Sequence, residues 1–200
     1  MNGLKRGLDG GAVHVCVDMQ GLFMPGGPWE VPALERTLPV IASIVEHEPE
    51  RTIFTRFIPP ARAEDLPGMW RRYYERWREV TRECVDPALL QLVSPLRAFA
   101  SPRRLIDKQV YSPFAGGPFL ESLQARRADT LVVTGIETDV CVLATVLGAV
   151  DLGYRVVIVE DAVCSSSDVG HGAVLTLYRT RFSEQIEVVD ARSILASWPP

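Results

Sequence analysis

Residues 132–154 read VVTGIETDVCVLATVLGAVDLGY. An apolar, β-branched run enters this stretch, Gly135 breaks it, the polar turn Glu137-Thr138-Asp139 redirects the chain, and a helix apolar nearly all round leaves it. A helix without a polar face has to be buried. Strand, turn and helix therefore form part of a crossover unit lying against a sheet. The turn delivers one sulfur, Cys141, to the start of the helix. That sulfur is either a small apolar group in a core or a nucleophile held where the helix begins.

The same alternation extends in both directions. AVHVCVD (12–18), RTIFTRF (51–57), RRLIDKQV (103–110), TLVVTG (130–135), RVVIVED (155–161) and IEVVD (186–190) are short β-rich runs. Helical spacing of apolar residues marks LERTLPVIASIVEHE (34–48), where Pro39 suits an early turn, and the stretches 117–127, 138–152 and 168–180. Strands alternating with helices require right-handed crossovers and a parallel sheet covered on both faces. The expected product is one three-layer α/β/α, doubly wound domain over residues 1–200, with six mostly parallel strands and a helical insertion at about 60–100.

Composition excludes several classes. With 47% hydrophobic and 23% charged residues the chain reads as globular. A net charge of -4 gives no reason to expect nucleic acid or anionic lipid as a partner. There is no signal-peptide pattern and no apolar run long enough for a bilayer, so a cytoplasmic protein is expected. The four cysteines (Cys16, Cys84, Cys141, Cys164) form no CxxC pair, and His14, His47 and His171 are scattered. Reduced thiols and no metal or other cofactor are expected.

In the insertion, GMWRRYYERWREVTREC (68–84) puts Trp70, Tyr73, Tyr74 and Trp77 on one face of a helix. The stripe either docks on the body of the domain or forms an aromatic cap or subunit contact beside a site.

Ligands of doubly wound sheets lie beyond the carboxyl ends of the strands. Asp18 closes the first strand, Lys108 ends the third, and Cys141 follows the fourth. A carboxylate, an ammonium and a thiol can therefore meet without being neighbours in sequence. With Thr138 as N-cap, Cys141 would sit in the first helical turn, where free N–H groups and the helix dipole favour a thiolate. Lys108 would lower the thiol pKa further, and Asp18 could take the proton.

Three motifs carry a family resemblance: VCVDMQGLFMPGG around Asp18, DKQVYSPFAG around Lys108, and VVTGIETDVCVLATVLGAVDLGYRVVIVEDAVCS around Cys141. From about Val13 to Val189 the chain resembles the isochorismatase-like cysteine hydrolases, a group with nicotinamidases, N-carbamoylsarcosine and ureidoacrylate amidohydrolases and biuret hydrolases. The resemblance implies strand order 3-2-1-4-5-6. It makes Asp18 the general base, Lys108 its cationic partner and Cys141 the nucleophile. It also implies a cis peptide at Ile136–Glu137, which aims the backbone N–H groups of Glu137 and Cys141 at one oxyanion. Glu137 departs from the small residue frequent there, and its side chain is expected toward solvent or a neighbouring subunit. The implied reaction is hydrolysis of a C–N bond in a small amide, ureido or carbamoyl substrate through a thioester, by a homo-oligomer (dimer or tetramer). Isochorismatase chemistry on a vinyl ether, a non-catalytic scaffold and a thiol-redox role are the alternatives.

Nicotinamidases carry Asp-x-His after the second strand to bind metal; here Thr55, Arg56 and Phe57 stand there. Arg56 could pair with a substrate carboxylate or with an internal acid. Gln20 could bond Asp18 or Lys108, while Phe23, Trp29 and Tyr111, with Ser112 and Phe114, could wall the pocket. His171 reads as a structural residue at a helix start.

Overall fold

The computed structural model describes residues 4–199. Its six strands are β1 (Ala12–Val17), β2 (Thr52–Phe57), β3 (Leu105–Lys108), β4 (Thr130–Ile136), β5 (Arg155–Cys164) and β6 (Ile186–Val189). They form one sheet in the order β3-β2-β1-β4-β5-β6, and each neighbouring pair is parallel. Seven α-helices accompany them among the described residues: α1 (Leu34–His47), α2 (Gly68–Arg76), α3 (Ser94–Arg97), α4 (Gly117–Ala125), α5 (Leu143–Asp151), α6 (Asp168–Arg181) and α7 (Ala191–Ser197).

Alternation along the strands feeds two cores. Ala12, Cys16, Phe54, Val132 and Val157 face α1 and α7, where Ile41, Ile44 and Ile194 are buried. Val13, Val15, Val17, Leu131, Val133 and Ile158 face α4, α5 and α6, meeting Leu123, Val146 and Tyr178. β1 is buried along its whole length. It can carry His14 there because Nδ1 is 3.0 Å from Thr52 Oγ1 and Nε2 is 2.8 Å from Thr134 Oγ1. Burial lowers the His14 pKa to about 3, so the imidazole is neutral in the fold.

The chain order reverses between β1 and β4, and that seam opens the ligand crevice of such sheets. The seam is tight. Gly135 has φ +108, and a Cβ there would lie 2.1 Å from the Val17 carbonyl oxygen. A register shift between Val133 and Gly135 lets β5 continue to Cys164, beyond the residue 161 expected from the sequence. The extension carries Ser165 and Ser166 beside the turn that holds Cys141.

Two elements differ from the sequence reading. The helix expected over 68–84 ends at Arg76; Trp77 leaves helical geometry, and a 3-10 turn, Arg78–Val80, follows. Thr81 stops it by directing both its N–H and its hydroxyl to the Arg78 carbonyl, while Val80 is buried. The helix expected over 138–152 begins instead with a wide π turn, Thr138–Val142, before α5. The N–H groups of both Val140 and Val142 donate to the Glu137 carbonyl. Such π turns recur at functional sites.

Candidate active site

Asp18, Lys108 and Cys141 meet at the carboxyl ends of β1, β3 and β4. Asp18 sits one residue past β1 with φ +52, in the left-handed region, which Asp tolerates better than most residues. Its N–H donates to Thr55, and the Thr55 hydroxyl donates to Asp18 Oδ1 at 2.6 Å. The other carboxylate oxygen, Oδ2, accepts from Lys108 Nζ at 2.6 Å. Nζ also reaches the Val110 carbonyl at 3.2 Å and Cys141 Sγ at 3.5 Å. These three acceptors match the three N–H groups of an ammonium. Nζ lies 4.8 Å from the centre of the Phe57 ring as well.

The charges balance within this cluster. Burial disfavours the ammonium of Lys108, but Asp18 and Cys141 outweigh it and raise its pKa. For Cys141, burial and the adjacent Asp18 carboxylate push the thiol pKa well up, against the opposing pull of Lys108. This reverses the expectation of a lowered thiol pKa. The π turn gives Cys141 no regular helix N-terminus, and desolvation exceeds the help from one cation already paired with Asp18. Lys108 therefore favours the ammonium and Cys141 the thiol, and Asp18 lies within hydrogen-bonding reach of that thiol.

The turn itself is braced from two sides. The Ile136–Glu137 peptide is cis. The Thr145 hydroxyl donates to the Cys141 carbonyl at 2.7 Å. Thr138 does not cap a helix: its hydroxyl pairs with His171 Nδ1 at 2.9 Å, which ties α6 to the turn. Asp139 accepts from Ser165 Oγ at 2.6 Å. Glu137 turns its carboxylate toward Ser166, accepting from both its N–H and its hydroxyl. It therefore stands at the cavity wall, because the extended β5 supplies donors there.

Above Cys141 opens a cavity of about 430 Å³. Six rings wall it: Phe23, Trp29, Phe57, Tyr73, Trp77 and Tyr111. Trp29 is central, with ring centres 5.8 to 6.2 Å from those of Phe23, Phe57, Tyr73 and Trp77. The stripe on α2 thus does two jobs. Tyr74 docks fully buried in the body, while Tyr73 and Trp77 reach the cavity and Trp70 packs on Tyr111 at 4.9 Å.

Phe23, Trp29 and Tyr111 line the cavity as expected from the sequence. Gln20 does not, and it touches neither Asp18 nor Lys108. Its amide donates to the Phe57 and Leu90 carbonyls and accepts from the Phe57 N–H, so it is a buried strut joining its own loop to the end of β2 and to the turn at Leu90. Arg56 does not reach substrate space either. It forms a bidentate pair with Asp107 at 2.8 and 2.9 Å and donates to Gln91 at 2.7 Å. The period of two along β2 explains this: Thr55 and Phe57 face the site, so Arg56 faces away. That same period was the available signal for Thr55 and Phe57, which the sequence reading passed over. Ser112 and Phe114 lie against Gly148 of α5, outside the cavity. Glu30 and Ser166 come from loops and left no local signal, whereas Tyr73 and Trp77 belong to the aromatic stripe that the sequence offered as a cap beside a site.

Among the described residues no group of three or more His, Cys, Asp or Glu side chains could hold a metal ion, and no helix is long and apolar enough to cross a membrane. Fold and site together define an α/β protein with a buried thiol, carboxylate and ammonium at its switch point. A family model, the Isochorismatase domain, matches residues 12–190, and the chain belongs to the isochorismatase family. It is 33% identical over 81 residues to an uncharacterized isochorismatase family protein, PncA, of Bacillus subtilis, a match spanning 40% of this chain and 44% of that protein. It is 25% identical over 183 residues to maleamate amidohydrolase of Pseudomonas putida, covering 86% of this chain and 81% of that one. Among solved structures, a cysteine hydrolase of Pseudomonas syringae superposes with a TM-score of 0.80 at 21% identity, covering 98% of this chain and 97% of that chain. N-carbamoylsarcosine amidase of Thermoplasma acidophilum gives 0.71 at 21% identity, covering 90% and 96%.

Proposed function

We propose that this protein is a metal-independent cysteine hydrolase that cleaves the C–N bond of a small amide, ureido or carbamoyl substrate through a thioester. The observation that carries this reading is the Lys108 ammonium, 2.6 Å from Asp18 and 3.5 Å from Cys141, beneath a cavity of small-molecule size. The names of the relatives, an amidohydrolase and an amidase, support the same reaction class. Thr55, Arg56 and Phe57 offer no metal-binding pair, which supports metal independence.

Asp18 accepts the Cys141 proton, and the sulfur attacks the substrate carbonyl carbon. The developing oxyanion is held by the backbone N–H groups of Glu137 and Cys141. Asp18 returns the proton to the departing nitrogen as the C–N bond breaks, leaving a thioester and free amine or ammonia. Asp18 then takes a proton from water, whose oxygen attacks the thioester carbon; the C–S bond breaks, the acid product leaves, and Asp18 passes the proton to the sulfur to restore the thiol. Lys108 holds the Asp18 carboxyl in place through the cycle. Catalysis by a homo-oligomer is part of the proposal, and the exposed Met69 on α2, beside the aromatic cap, supports a contact there.

The test is ammonia or amine release from a panel of small amides, ureides and carbamoyl compounds, in the presence of EDTA. Cys141→Ala is expected to lower kcat/KM by about a thousandfold or more, and wild-type enzyme stopped by acid should carry the acyl group on Cys141 by mass spectrometry. Full turnover in Cys141→Ala would overturn covalent catalysis, and loss of wild-type turnover in EDTA would overturn metal independence.

A further inference from the structure

The charged residues that line the cavity are of one sign. Glu30 and Glu137 line it, and among the described lining residues there is no Lys or Arg. Lys108 lies beneath, but its charge is matched by Asp18 at 2.6 Å. Glu137 is held by Ser166 and Glu30 by the N–H of Gly26 at 2.9 Å, both neutral donors that leave the carboxylate charge uncancelled. No ion pair to either Glu occurs among the described residues. Arg56, the cation that could have met a substrate carboxylate, is committed to Asp107.

The walls carry the same preference. Aromatic faces are the negative side of the ring quadrupole and attract cations. Two of the six rings already hold one: Lys108 Nζ lies 4.8 Å from the Phe57 centre, and the Arg76 guanidinium lies 5.6 Å from the Trp77 centre. The central Trp29, flanked by four other rings, has no such occupant among the described residues.

We propose that the cavity is an aromatic cage with an acidic rim, selecting substrates whose end distal to the scissile carbonyl carries an ammonium or alkylammonium group and rejecting those that carry a carboxylate there. A cation gains from the ring faces and from Glu30 and Glu137 together. A carboxylate meets two like charges and no lining cation. This specificity rests on the cavity being the substrate site of the hydrolase proposed above, and it deepens that reading.

Binding separates the two ideas. Cys141→Ala protein is titrated with choline, with its neutral carbon isostere 3,3-dimethylbutanol, and with the anion 3,3-dimethylbutanoate, following Trp fluorescence with calorimetry as a check. Choline is expected to bind about tenfold or more tighter than the isostere, with the anion weakest. In Cys141→Ala carrying Glu30→Gln and Glu137→Gln the preference should shrink several-fold, while circular dichroism remains that of the parent. Equal affinity for choline and isostere, tighter binding of the anion, no binding of any probe, or an undiminished preference in the Gln variant would each overturn the proposal. In wild type, amides of matched length ending in trimethylammonium, tert-butyl or carboxylate should rank in that order in kcat/KM, chiefly through KM. An intact binding preference without turnover of any amide supports the cage and overturns the hydrolase reading instead.

Discussion

Asp18 shows how a single residue is held for work. Its backbone is in the left-handed region, one carboxylate oxygen is held by Thr55 and the other by Lys108. Thr55 touches neither the thiol nor the cavity, so it acts by positioning. Thr55→Val keeps the shape and deletes the 2.6 Å donor. The expected result is a kcat about tenfold lower, since hydrogen bonds to charged groups contribute on the order of 1.5–3 kcal/mol, with KM little changed. Thr55→Ser should restore most of it; a kcat unchanged in Thr55→Val would remove Thr55 from the mechanism. The raised pKa of Cys141 belongs to the same scale: in the proposed reaction a protonated thiol needs a proton acceptor beside it, the part given to Asp18.

At the scale of elements, β2 separates its two faces sharply. Thr55 and Phe57 serve the site, whereas Arg56 clamps the β2–β3 edge through Asp107. Arg56→Ala is therefore expected to leave kcat/KM within about twofold and to cost about 1 kcal/mol or less, since Asp107 is half exposed and screened by solvent. A rise in KM with stability untouched would return Arg56 to the substrate. The β1–β4 seam behaves differently. Gly135→Ala would drive a methyl group into the Val17 carbonyl from a backbone with positive φ, neither of which can relax without parting the strands. A loss of about 3 kcal/mol or more is expected, visible as a large drop in urea midpoint or as insoluble protein. A variant with wild-type stability would show that the seam is looser than described.

Across the whole molecule, stability carries the signature of buried His14. Its pKa falls from 6.5 to about 3 on folding because burial disfavours the charged imidazole. Between those values the unfolded chain binds one proton more than the folded chain. Stability from this group is therefore full above pH 6.5 and declines on acidification, by up to about 1.4 kcal/mol per pH unit. Urea midpoints between pH 7 and 4 should fall less steeply in His14→Gln than in wild type, whatever the variant's starting stability. Parallel acid limbs would show that His14 does not drive the decline.

The three-layer architecture was legible before any coordinates, because β-branched runs and apolar helices alternate with a regularity that allows few topologies. The meeting of Asp18, Lys108 and Cys141 was legible for the same reason: they end or follow strands, and strand ends of a parallel sheet share one rim. Local sequence could not give Gln20, Glu137 or Arg56 their roles. Gln20 finds backbone groups at the end of β2 and at Leu90, Glu137 finds Ser166 just beyond β5, and Arg56 finds Asp107 on the edge strand. The aromatic cage likewise gathers rings from four separate segments. Periodicity records which face a side chain takes, whereas its partner depends on what packing brings opposite, and only the tertiary structure decides that.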